Sequence, residues 1–101
     1  MNERHIEFAA EAFEDLMQIY ERVAKAASPE TAIQYIDRIE VYCRRKRVAP
    51  ERGHKRDDIR PGLRIIGFER RISVAFTVSE NRVPILRLFR SGRDWKALFE
   101  D

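Results

Sequence analysis

The chain has 101 residues, 37% charged and 44% hydrophobic, a size that buries roughly two thirds of its unfolded surface and supports one small core. No stretch approaches the ~20 consecutive apolar residues of a membrane span, no secretory signal is read after Met1, and the single cysteine, Cys43, excludes an internal disulfide; a cytoplasmic setting is expected. The net charge of +3 hides an asymmetry, since residues 1–43 hold nine acids and four basic residues (−5) while residues 44–101 hold sixteen basic residues and eight acids (+8), a half that attracts polyanions or an acidic partner.

Arg4 to Phe8 reads as a short strand with Ile6 and Phe8 on one face. From about Ala10 the period becomes helical. Phe13, Leu16, Tyr20, Val23 and Ala27 recur at spacings of three and four, with Met17 and Ala24 beside them and Glu11, Glu14, Asp15 and Glu21 on the other side. Ser28-Pro29-Glu30 marks a stop and a restart, with Ser28 as N-cap and Pro29 in the first helical position. The second helix is predicted from Pro29 to about Arg47, with Ala32, Ile36, Ile39 and Cys43 as its apolar stripe, widened by Ile33, Tyr35 and Tyr42. So short a joint implies an antiparallel helical hairpin.

Residues 49–60 read as a charged loop. After Pro61-Gly62 the period falls to two. Leu63 to Phe68 is a strand, Glu69-Arg70-Arg71 a turn, and Ile72, Val74, Phe76 and Val78 alternate in a second strand. Ser79 to Arg82 is a turn, Val83 to Phe89 a third strand, and Trp95, Leu98 and Phe99 suggest a short final turn or helix. The predicted fold is therefore α+β in the order β-α-α-β-β-β, a single domain over residues 1–101. One N-terminal strand and a helical hairpin precede a three-stranded antiparallel meander, and the hairpin covers one sheet face. Leu16, Tyr20, Ile36, Ile39, Val74, Phe76 and Leu86 are expected in the core.

Three stretches carry a resemblance: AFEDLMQIY at Ala12–Tyr20, GHKRDDIRPGLR at Gly53–Arg64 and ILRLFRSGRDW at Ile85–Trp95. In this order and spacing they resemble the ParE/RelE superfamily of toxins from type II toxin–antitoxin systems. The resemblance implies one of two activities. RelE-like members cut messenger RNA on the ribosome, with basic residues on the sheet and often a Tyr or His near the C-terminus. ParE-like members poison DNA gyrase and have no known catalytic centre. It also implies a cognate antitoxin whose segment wraps the toxin in a hetero-oligomer.

The chemistry separates the two in part. Cleavage at a 2′-hydroxyl needs proton carriers beside donors for the charged transition state. Arg64, Arg87 and Arg90 supply donors, and Lys55, Lys96 and Glu69 are the remaining candidate carriers. No His or Tyr occurs after Lys55, and an arginine, with pKa above ~12, is a poor base. The reading favours a gyrase poison that binds its target through Arg64, Arg87, Arg90, Arg93 and Trp95. A ribosome-dependent endonuclease using Lys55, Arg64, Arg87 and Arg90 is the alternative, and a non-toxic interaction module the third. Leu16, Tyr20, Tyr35, Ile39 and Tyr42 are expected to meet the antitoxin. The basic run Arg44-Arg45-Lys46-Arg47, with Arg52, Lys55, Arg56 and Arg60, reads as a phosphate contact or as a solvated helix end. Cys43 reads as a core residue. No spacing suggests a metal or a nucleotide cofactor.

Overall fold

The computed structural model describes residues 4–45 and 53–91. Their elements are β1 (His5–Phe8), α1 (Ala10–Ala26), α2 (Pro29–Arg44), β2 (His54–Lys55), β3 (Arg64–Phe68), β4 (Ile72–Phe76) and β5 (Arg82–Arg90). Lys46, Arg47, Arg52 and the stretch holding Gly92, Arg93, Asp94, Trp95, Lys96, Leu98 and Phe99 lie outside the described residues.

The helical hairpin forms for the expected reasons. Ser28 adopts extended backbone, its hydroxyl oxygen accepts from the Thr31 amide at 3.1 Å, and Pro29 opens α2. Before it, α1 closes with the Ala27 amide donating to the Val23 carbonyl. The α1 stripe, however, is rotated from the predicted one. Ala12, Asp15, Leu16 and Ile19 face the sheet, while Phe13 is 59% exposed and Met17 48%. Ala12 is fully buried, and a methyl at the contact lets the helix approach the sheet where a phenyl would hold it off.

Among the described residues the sheet has five strands in the order β1-β5-β4-β3-β2. It is mixed rather than wholly antiparallel. The meander β3-β4-β5 is antiparallel as expected, but β1 runs parallel to β5, with Ile6 opposite Val83 and Phe8 opposite Ile85. A strand followed directly by a hairpin that folds back over the sheet meets β5 in that direction, and the pairing buries Ile6 against Val83. The predicted loop holds a two-residue edge strand, β2, paired with β3. Gly53, at φ +105°, precedes it; a Cβ there would collide with the Ile66 side chain and the Ile65 carbonyl. Pro61 stands in the turn before β3, and Gly62 bends at φ +79° with its amide donating to Asp57 Oδ1 at 2.7 Å.

Between hairpin and sheet lies the main core, including Leu16, Ile39, Val74, Phe76, Val83 and Ile85. Tyr20, Ile36 and Leu86 are only partly buried. The opposite face of the sheet carries a second cluster of Leu63, Ala75 and Phe89, with Ile59 and Leu86 packed on it. A shift of register between Ala75 and Phe76 inserts one extra residue into β5. This bulge changes which side chains face α1 beyond Ile85: Ile85 and Leu88 belong to the hairpin side, Leu86 and Phe89 to the other.

Candidate functional site

The bulge brings β5 to an acid on α1. Asp15 is 8% exposed on the face of α1 that meets the sheet. Arg87 Nε donates to Asp15 Oδ2 at 2.8 Å, and Arg87 Nη2 to Oδ1 at 3.1 Å. The Leu88 amide also donates to Oδ2, at 2.9 Å. The bidentate contact with Asp15 raises the Arg87 pKa further above its ordinary value. Two expectations change here. Asp15 is a buried acceptor rather than part of a solvated face, and Arg87 has its guanidinium committed inside the fold instead of offered to a target.

The other expected site residues divide: Lys55 and Arg64 are neighbours across β2 and β3, and Arg90 lies apart from them. Arg64 pairs in register with Phe76 and Arg90 with Ile72, four residues apart along β4, roughly 13 Å at the usual rise per strand residue. Lys55 is the register partner of Arg64, so it too lies at the end of the sheet away from Arg90. His54, adjacent to Lys55 in the same strand, projects to the opposite face from Arg64. Of the basic run, Arg44 and Arg45 are exposed, and Arg56 is held in a bidentate pair by Asp58. Arg93 and Trp95 lie outside the described residues.

Arg90 instead joins a set of residues that the sequence does not place together. A cleft of about 810 Å³ opens between the α1–α2 joint and the β3–β4 turn. Arg22 lines it from α1, Tyr35 and Arg38 from α2, Arg70 and Arg71 from the turn, and Arg90 from β5. Both central residues of the turn have positive φ, Glu69 at 49° and Arg70 at 60°, a conformation that Asn and Gly adopt with less strain. Glu69 is fixed by Arg38, whose Nε and Nη2 each donate to a carboxylate oxygen at 3.0 Å. The Arg38 guanidinium also lies 5.2 Å from the centre of the Tyr35 ring, and Tyr35 packs on Phe68.

Two titratable groups in this cleft are moved apart. Hydrogen bonds from Arg38 hold the Glu69 carboxyl below its usual range. Burial, reinforced by the Glu69 charge, pushes the Tyr35 phenol up. A general acid–base pair works best with pKa values near the operating pH, and both shifts run the other way. What remains is an arrangement of fixed positive charge, suited to binding anions. Among the described residues no three His, Cys, Asp or Glu side chains are grouped to hold a metal.

A second surface lies on other faces of the same helices. Phe13, Met17 and Tyr20 of α1 and Ile33, Ile36 and Glu40 of α2 line an apolar groove of about 390 Å³. Leu16 forms part of its wall and is nearly buried, at 5% exposure. Of the other residues expected to meet an antitoxin, Ile39 is fully buried in the core and has no surface to offer. Tyr35 and Tyr42 pack on Phe68, and the Tyr42 hydroxyl donates to the Gly67 carbonyl at 2.7 Å. The groove residues missed at the sequence level, Phe13, Met17 and Ile33, are the ones that the apolar count assigned inward.

No curated protein sequence matches the chain. Among solved structures, one described as the chromosomal ParDE toxin–antitoxin system from P. aeruginosa is similar, at 26% identity and a TM-score of 0.75; the match covers 86% of this chain and 95% of that one. Residues 6–95 match the family model described as the ParE toxin of type II toxin–antitoxin systems, parDE. The hairpin, the meander and the basic half thus sit in a known frame, and the chain belongs to the ParE toxin family.

Proposed function

We propose that this chain is the toxin of a toxin–antitoxin pair, that it acts by binding DNA gyrase and not by cutting RNA, and that a cognate antitoxin neutralises it. The observation that carries the choice of target is the electrostatic state of the arginine surfaces. Arg87 is tied to Asp15, Arg64 and Arg90 lie at different ends of the sheet, and beside Arg90 the carboxyl of Glu69 and the phenol of Tyr35 are shifted away from neutrality. Such a surface binds well and transfers protons poorly.

The antitoxin reading rests on family membership and on the groove. Phe13, Met17 and Ile33 leave large apolar surfaces in water on neighbouring helices, a geometry that accepts one apolar face of a third helix. Asp37 and Glu40 border it, so the segment that docks there carries a lysine or arginine beside its apolar anchors. Acidic residues elsewhere in the same partner would meet the basic half of the toxin.

Induced expression in bacteria, read for DNA breaks and for messenger RNA cleavage together, tests the reading. Gyrase-dependent breaks with intact messenger RNA are expected, with the effect weakened by Arg90→Ala and unchanged by His54→Ala. Messenger RNA cut at ribosomal A-site codons would establish the endonuclease instead, and growth without arrest would leave an interaction module.

A further inference from the structure

We infer that the cleft between the α1–α2 joint and the β3–β4 turn is a binding site for the phosphate backbone of a nucleic acid. Arg22, Arg70, Arg71 and Arg90 line it from three separate elements, and all four are exposed. None of their guanidiniums has a hydrogen-bond or ion-pair partner among the described residues. Four like charges around one cleft repel one another, and an anion placed among them relieves that repulsion. Guanidinium forks also suit phosphate oxygens geometrically.

The cleft wall is held in place at a cost. Glu69 and Arg70 sit at positive φ, and backbone strain of this kind persists where the surroundings enforce it, commonly at functional sites. Here the antiparallel pairing of β3 with β4 closes the turn, with the Arg71 amide donating to the Phe68 carbonyl, and the Arg38–Glu69 pair ties it to α2. That pair satisfies the cleft's own carboxylate with one arginine and leaves the other four for an external anion.

A nucleic acid fits better than an acidic peptide. Peptide recognition needs apolar anchors as well as charge, and the exposed apolar residues Phe13, Met17 and Ile33 line the separate groove. Backbone phosphates need cations alone. Among the described residues base stacking is not offered, because the aromatic ring that lines the cleft, Tyr35, is already engaged by Phe68 and Arg38. Binding is therefore to the backbone, without sequence preference. The inference does not depend on which enzyme the toxin targets.

The test is fluorescence anisotropy of a short labelled DNA duplex with the purified full chain, free of gyrase and ribosomes, over a salt series. Arg22→Ala with Arg71→Ala is compared with Arg44→Ala with Arg45→Ala, which removes the same charge from the far end of α2. The cleft pair is expected to weaken binding at least tenfold and to reduce the salt slope by about 2, near one unit for each phosphate no longer neutralised. The α2 pair should change it far less. Circular dichroism melts on each variant confirm the fold, and lysine at both cleft positions should restore most of the binding. Equal losses from the two pairs would overturn the inference by showing general attraction to a basic surface. An acidic peptide that binds the cleft more tightly than the duplex does would overturn it in favour of a protein ligand.

Discussion

Replacing Asp15 by alanine should destabilise the protein more than any substitution of an exposed acid. The carboxylate accepts from Arg87 twice and from the Leu88 amide once, and it is almost out of water. Alanine leaves that buried amide without an acceptor, which alone costs about 1–3 kcal/mol. It also leaves the Arg87 side chain, only 24% exposed, without its counter-charge. Breaking a buried pair on one side costs about 3–5 kcal/mol, and this pair is partly wet, so the total expected is roughly 3–4 kcal/mol. A domain of this size has about 5–15 kcal/mol in all, so the loss is a large fraction. Asp15→Asn keeps an acceptor for the amide and should cost about half as much, roughly 1–2 kcal/mol. Joint replacement by Asp15→Leu and Arg87→Met should cost less than Asp15→Ala, since no charge is then stranded. Urea denaturation followed by circular dichroism measures all three. A cost below about 1 kcal/mol for Asp15→Ala, the level of an ordinary surface change, would refute the claim that this contact joins α1 to β5.

Arg70→Gly should stabilise the fold, because the strain at φ +60° is about 1–2 kcal/mol for a residue with a Cβ; a fall in melting temperature would contradict the turn geometry. For Glu69 the depressed pKa means that its pair with Arg38 contributes stability above the ordinary glutamate range, near pH ~4.3, and that this contribution is lost as pH falls through the lower folded value. Carboxyl NMR titration should show the Glu69 midpoint low in the native chain and returned upward in Arg38→Ala; equal midpoints would remove the pair. Ile33→Glu, at a position 60% exposed, should change folding stability by no more than about 0.5 kcal/mol yet weaken antitoxin binding at least about tenfold. Calorimetric titration showing unchanged affinity would move the antitoxin off the groove.

The parts of the fold legible in the sequence were those set by local rules. Ser28-Pro29 announces the joint between helices, and the change of period after Gly62 announces the meander. The parallel pairing of β1 with β5 was not legible, because four alternating residues specify neither a partner nor a direction. For α1 the apolar count found Leu16 and Val23 but rotated the stripe towards Phe13 and Met17. Phe13 and Met17 raise the hydrophobicity of a face that here points to solvent, and Asp15 is polar yet buried because Arg87 and the Leu88 amide satisfy it. One available signal was the broken alternation of Ile85-Leu86 and Leu88-Phe89, which marks the bulge. Among candidate site residues, Arg90 was visible as a surface cation. Its neighbours Arg22, Arg38, Arg70 and Arg71 were not, since only the tertiary fold brings those segments to one cleft. The turn Glu69-Arg70, lacking the Asn or Gly that positive φ favours, gives no warning in sequence of its strained geometry.

The most direct test of the central claim is a paired reconstitution with the purified toxin. One arm holds DNA gyrase with supercoiled plasmid, the other translating ribosomes with a defined messenger RNA. The account predicts trapped gyrase–DNA breaks in the first, abolished by adding antitoxin, and intact messenger RNA in the second. Cleaved messenger RNA beside unaffected gyrase would contradict it.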